Sequence, residues 1–296
     1  GGGAVVRRGV VDGFGEVTLV DAPGLARPHP YLEPDTGQGW ADNDRRFLTF
    51  CNAVAKWAER TSPDLLHLND WHTAAVLGML DARPPTVFTI HTIGYQGVTA
   101  ATWLAQLPVS TEAFRWYDVV NPLAAAIGLA DLVVAVSPTY AREIVTPQSG
   151  MGLHELLAAR GDALVGIRNG IDTAVWDPAT DPLIPAPYRW GDLSGKAAAR
   201  AKLLERVGWG DIREPLIGVV TRLVEQKGVD LAFEAARFLD GMKARMIVLG
   251  SGDGADQGAR VTSLDPRVRH RIFDDVKMHV LSFCSAHARR LRSRTT

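Results

Sequence analysis

The chain is short of cysteine, of net charge and of long apolar runs, and each shortage removes a class of protein. Only Cys51 and Cys284 occur among 296 residues. They lie far apart without metal-ligand spacing, so neither a disulfide framework nor a metal cluster is expected, and a reducing, cytoplasmic compartment is. A net charge of -1 sets up no global field that would draw the protein to nucleic acid or an anionic membrane. No apolar run has the length of a membrane span, and no signal peptide pattern is present. The first residue is not Met, and GGGAVVRRGVVDGFGEVTLVDAP already shows α/β rhythm, so a fragment is expected. What remains is 46% apolar and 22% charged residues, the balance of a globular protein of two α/β domains or one large one.

Short, continuously apolar runs bounded by turn residues read as buried parallel strands: Val17–Asp21, Leu65–Leu68, Thr86–Ile90, Leu132–Val136, Ala163–Ile167, Ile217–Val220 and Met246–Leu249. Helical spacing falls between them. Arg45–Glu59 sets Phe47, Phe50, Cys51 and Val54 on one face, and Thr73–Leu80 follows a helix cap expected at Asp70. Pro122–Leu129 is small and apolar, and Tyr140–Ile144 follows a Ser137 cap and a first-turn Pro138. Lys196–Val207 and Val229–Leu239 complete the set. The alternation predicts doubly wound parallel sheets. Asn169–Asp192 is rich in Pro, Asp and Gly and reads as a crossing between two lobes, 1–168 and 169–296, with Asn169-Gly170 as a tight turn.

The end of the chain has another composition. Residues 254–296 hold 9 Lys/Arg against 4 Asp/Glu, a net of +5 against -6 for residues 1–253, and Glu234 is the last glutamate. No convincing strand is legible there. Such a shift fits a basic interaction tail or a frameshifted reading of a GC-rich gene, and the second is the expectation.

Four segments carry chemistry. In IGVVTRLVEQKG an apolar strand delivers Arg222 and Lys227 into a short loop at a helix start. Unpaired N–H groups and the positive dipole end there favour phosphate, which Arg grips with a planar fork and Lys with a point charge. The bland alternative is two ordinary surface cations. His72, in NDWHTAAVLGML, and His91, in TVFTIHTIGYQG, each follow a strand, on the side where open parallel sheets bind ligands. A neutral imidazole there can donate to or accept from a sugar hydroxyl, or simply satisfy a buried carbonyl. Finally, IVLGSGDGA fits G-x-G-x-x-A after a strand through Gly250, Gly252 and Ala255, with Asp274 at the distance of a ribose-binding acid. Ser137 lacks the G-x-S-x-G elbow a nucleophile needs.

Taken together, NDWHTAAVLGML, TVFTIHTIGYQG, DLVVAVSPTYAREI, IRNGIDTAVWDPATDPLI, TRLVEQKGVDL and IVLGSGD resemble, in order and spacing, the bacterial glycogen synthases and plant starch synthases of glycosyltransferase family five. The resemblance covers roughly residues 16–253. It implies a GT-B fold of two Rossmann-like lobes. It implies a retaining transfer of glucose from ADP-glucose or UDP-glucose to the non-reducing end of an α-1,4-glucan, without a metal or other cofactor. By the resemblance Arg222 and Lys227 would hold the donor diphosphate, His72 would touch the transferred glucose, and His91, Tyr95 and Asn169 would line the sugar cleft. Nucleic acid and membrane are not expected partners. Two family motifs, an N-terminal K-x-G-G-L loop and an acidic E-x-C-G-L segment, are absent, and Thr92 stands where the family usually has Asn. The chain therefore reads as the middle of a synthase, lacking pieces from both ends. The alternatives are an inactive remnant that binds nucleotide or glucan, another retaining GT-B transferase, and a dinucleotide-dependent oxidoreductase.

Overall fold

A computed structural model describes residues 4–11, 13, 15–28, 30, 33, 39–107, 109, 111–221, 223, 227–236, 238–239, 241–250 and 268–271. The chain folds as two compact units, Gly1–Gly170 and Ile171–Thr296.

The first unit opens with β1 (Val5–Val11) and β2 (Gly15–Asp21), paired antiparallel as a separate two-stranded sheet. This corrects the reading of Val17–Asp21 as a buried parallel strand. Most positions of both strands are exposed or half-buried, and the valines there serve a hairpin surface. Then follow α1 (Asn43–Thr61), β3 (Leu66–Asn69), α2 (Trp71–Ala74), β4 (Thr86–Ile90), β5 (Thr99–Ala100), α3 (Thr111–Phe114), β6 (Arg115–Trp116), β7 (Val119–Val120), α4 (Pro122–Leu129), β8 (Leu132–Ala135), α5 (Pro138–Glu143), α6 (His154–Ala158) and β9 (Leu164–Gly166). Strands β3, β4, β8 and β9 form a parallel sheet in that order, with Phe88 opposite Leu68 and Val133. Phe88, Ile90, Val133 and Ala135 are fully buried. β4 and β8 are covered on both faces and show no alternation, whereas β3 alternates, with His67 and Asn69 exposed.

α4 is apolar all round and buried nearly throughout, as a helix enclosed by a core must be. Pro122 starts it and buried Asn121 caps it, its Oδ1 accepting from the Ala124 N–H at 3.0 Å. The Asn121 Nδ2 donates to Gln96 Oε1 at 2.7 Å, tying the loop after β4 to the helix start. Arg160 donates to the Ala130 carbonyl at 2.6 Å and the Asp131 carbonyl at 3.2 Å, and Asp131 Oδ2 accepts from the Thr86 N–H at 2.7 Å. These bonds fix β8 against β4. The helix expected over Thr73–Leu80 begins earlier, at Trp71, and after Ala74 tightens to a 3-10 turn over Ala75–Gly78.

The second unit holds α7 (Ser194–Val207), β10 (Leu216–Val220), α8 (Val229–Ala236), β11 (Arg245–Leu249) and β12 (Val268–Arg271). Its three strands are parallel in the order β10, β11, β12. β12 corrects the expectation of a tail without strands: its backbone extends β11 by hydrogen bonding, which an Arg-rich sequence permits at a sheet edge. The tight turn expected at Asn169-Gly170 is not formed; turns begin at 173–175 instead. A small core of Leu223, Val229, Leu239, Ala244, Met246 and Val248 sits under this sheet.

Candidate functional site

The site grows from the ends of β3 and β4. Asp70 closes β3 with φ 54, the left-handed region that costs a side chain strain and gathers at functional positions. Two hydrogen bonds hold it there. Its N–H donates to the Thr89 carbonyl at 2.9 Å, and its Oδ1 accepts from the His91 N–H at 2.8 Å. The carboxylate expected to cap the next helix makes no cap bond. It reaches across the sheet, because the neighbouring strand end offers an unpaired N–H where the ladder stops. Thr73 Oγ1 accepts from the Asn69 N–H at 2.7 Å and donates to the Asn69 carbonyl at 2.9 Å, which closes the turn.

His91 is exposed. Its Nε2 lies 3.0 Å from Asn69 Oδ1, so the ring is clamped to the β3 end twice, through backbone and side chain. Two residues on, the Ile93 N–H donates to the Tyr140 hydroxyl at 2.8 Å. Burial pushes the Tyr140 phenol up, and the Ser137 hydroxyl accepts from the Tyr140 N–H at 2.9 Å. Ser137 is thus the cap its sequence predicted, and it anchors the His91 loop at one remove.

His72 has different surroundings. Its ring is half-buried, 4.4 Å from Trp71 and 4.5 Å edge-on from Phe47 between centroids. Burial pushes the imidazole down to about 4, against the opposing pull of Asp70, so His72 is neutral at pH 7. Gly97 lies against the other partner of this cluster. A Cβ on Gly97 would stand 2.2 Å from the Trp71 ring, and its φ is 69. The cluster requires glycine there twice over.

Beside the cluster lies an open groove of about 500 Å3 lined by Trp40, Asn43, Asp44, Trp71, Tyr95 and Gln96. Burial raises the Asp44 carboxyl, but hydrogen bonds from the Thr99 hydroxyl, the Arg45 N–H and the Trp103 indole outweigh it and hold the group below its ordinary value. The groove is therefore lined by a hydrogen-bonded carboxylate together with the aromatic side chains Trp40, Trp71 and Tyr95.

The structure brings His72, His91 and Tyr95 into one region of the first unit. The other expected residues lie in other segments. Asn169 is exposed in irregular chain at the end of the first unit. Lys227 is exposed, two residues before α8, and Arg222 lies outside the described residues, as do Gly252, Ala255 and Asp274. Gly250 has a packing role: a Cβ there would come within 2.0 Å of the Thr221 carbonyl oxygen, so the glycine serves close backbone approach. Among the described residues no group of His, Cys, Asp and Glu could hold a metal ion, and no helix is long and apolar enough to cross a membrane. Sequence reasoning missed Asn69, the crossing role of Asp70 and the Tyr140 anchor. The only signal was three polar residues crowded at a strand end.

Residues 6–159 match the family model of the starch synthase catalytic domain. The chain belongs to that family. It is 40% identical over 268 residues to a glycogen synthase of Acidiphilium cryptum, covering 85% of this chain and 56% of the relative. A glycogen synthase of Anaeromyxobacter dehalogenans is 41% identical over 284 residues, with 89% and 60% covered. The chain thus spans somewhat over half the length of the curated relatives it matches. Among solved structures it is similar to the catalytic domain of starch synthase IV from Arabidopsis thaliana, bound to ADP and acarbose, with a TM-score of 0.75, 31% identity and coverage of 91% of this chain and 59% of that one. A sucrose-phosphate synthase from Thermosynechococcus elongatus, at 17% identity, 88% and 55% coverage and TM-score 0.50, shares the fold alone. The starch synthase family places the chain in the α/β GT-B class, and its catalytic-domain match ends within the first unit, where the clamped His91 and the groove lie.

Proposed function

We propose that the chain serves α-glucan synthesis as a retaining glucosyltransferase, moving glucose from ADP-glucose or UDP-glucose to the non-reducing end of an α-1,4-glucan in the cytoplasm. The observation that carries this reading is the clamped, exposed His91 at the strand ends, close in sequence to a groove whose walls include Trp40, Trp71 and Tyr95. Aromatic faces pack against the C–H faces of a sugar while fixed polar groups take its hydroxyls. That combination suits an oligosaccharide better than a flat apolar ligand. The bound ADP and acarbose of the Arabidopsis starch synthase, a nucleotide and an oligosaccharide analogue, support the same pair of ligand classes here.

In this reading Lys227, and Arg222 with it, offset charge on the departing diphosphate, and the N-terminus of α8 adds backbone N–H groups. His72, which the resemblance would set against the transferred glucose, is half-buried among aromatic rings, and in this reading it supports the sugar site by shape. His91 and Asn169 contact the sugar, and Tyr95 stacks on it. Titration calorimetry with ADP, UDP and NAD tests the donor side. ADP or UDP should bind, and Arg222→Ala and Lys227→Ala should each weaken binding by about 1.5–3 kcal/mol. Tight binding of NAD alone would instead support a dinucleotide-dependent enzyme. Incorporation of labelled glucose into glycogen separates the transferase from a remnant that only binds: nucleotide and glucan binding without transfer would mark the remnant.

A further inference from the structure

The Asn69–His91 contact has a polarity. An amide oxygen only accepts, so the Asn69 Oδ1 at 3.0 Å requires a proton on His91 Nε2. In a neutral imidazole the other nitrogen, Nδ1, then carries the lone pair. Everything around the contact is fixed. The His91 N–H is held by Asp70 Oδ1, the Asn69 backbone is closed on itself by Thr73, Asn69 pairs with Thr89 in the sheet, and Ile93 is pinned by Tyr140. The ring has been given one orientation, one donor bond and an exposed remaining edge, with no partner for Nδ1 among the described residues.

We infer that Asn69 is a positioning residue that holds His91 as the Nε2–H tautomer, so that Nδ1 accepts a hydrogen bond from a hydroxyl of the bound sugar. The sugar half of this statement rests on the function proposed above; the tautomer half does not. The consequence is a rule of selectivity. A site that presents a fixed acceptor takes a sugar with an O–H at that point and disfavours one that offers only an acceptor there, because two lone pairs would then face each other without a proton. His91 in this arrangement orients the sugar and moves no proton.

Nitrogen-15 NMR of the imidazole rings in the full chain reads the tautomer directly. The parent chain, in the pH range where His91 is neutral, should show a protonated, exchange-protected Nε2 and an unprotonated Nδ1. Asn69→Ala removes the acceptor and should speed exchange of the Nε2 proton by about tenfold, the equivalent of one hydrogen bond. Asn69→Asp keeps an acceptor oxygen of the same reach and should restore the protection. A parent ring protonated at Nδ1, or equal protection in the parent and Asn69→Ala, overturns the assignment of Asn69. Should Asn69→Ala fail to fold, the parent tautomer and the Asp variant decide the question alone. Adding maltotriose or ADP-glucose should then move the Nδ1 signal. A signal that neither sugar moves, beside the tautomer stated here, overturns the sugar reading of His91 and leaves the Asn69 pairing standing.

Discussion

The ends of β3 and β4 each deliver a histidine a few residues from the other strand, and they use it in opposite ways. At the β3 end His72 is packed into aromatic rings and kept neutral by burial, at about 4. At the β4 end His91 stays in water and is held by the hydrogen bonds it donates to Asn69, the last residue of β3, and to Asp70 just beyond it. Packing is non-directional and resists any change of volume. Hydrogen bonds are directional and leave the rest of the ring free to meet a ligand. A site built this way places its rigidity in one strand end and its chemistry in the next.

The comparison can be broken hardest at Gly97. Valine there must add a Cβ into the Trp71 ring and hold φ near 69, a combination of strain and overpacking expected to cost about 3 kcal/mol. Chemical denaturation followed by tryptophan fluorescence would read the loss. A Gly97→Val chain as stable as the parent would show that the β3 end is not the packed partner.

Acid is the next lever. The folded-state value of His72 lies below its ordinary 6.5, so the unfolded chain takes up the proton first. The stabilisation is complete above about 6.5 and is lost as pH falls from there toward about 4. Allowing for the partial exposure of the ring, the loss is on the order of 2 kcal/mol. Unfolding midpoints measured between pH 7 and pH 4 should fall in the parent and fall less in His72→Leu. Parallel curves would remove burial as the cause.

Smaller effects sharpen the β4 side. Ser137→Ala deletes the cap that holds Tyr140, the anchor of Ile93, and should cost about 1 kcal/mol. His91→Ala removes the ring's one hydrogen bond, to Asn69, and should cost about 1 kcal/mol of stability or less, while weakening the binding of maltotriose measured by calorimetry. A large stability loss with unchanged sugar binding would exchange the roles assigned to the two histidines.

Much of the first unit was legible in the order of its residues. Thr86–Ile90 and Pro122–Leu129 are runs whose composition leaves one choice: rich in β-branched and aromatic residues without a charge for a buried strand, small and apolar from Pro onward for a buried helix. Ser137-Pro138 announced its own helix start. The misreadings share a cause. Val17–Asp21 has the composition of a core strand, and only its partner β1 makes it half of an exposed hairpin. Asp70 stands where a cap should, but an N–H from a residue 21 positions away competes for its carboxylate and wins. Val268–Arg271 looks unlike a strand because its pairing comes from β11 and not from its own side chains.

By itself the sequence determined the alternation of elements, the starch synthase family and the set of polar residues gathered at strand ends, because apolar period, turn chemistry and local motifs act over a few residues. Which histidine is buried and which is presented, and in which tautomer, only the tertiary structure decided. His72 and His91 carry the same side chain after the same kind of strand. Their difference comes from neighbours distant along the chain, Phe47 beside the one and Asn69 beside the other, and burial and hydrogen-bond polarity exist only once those neighbours have been brought together.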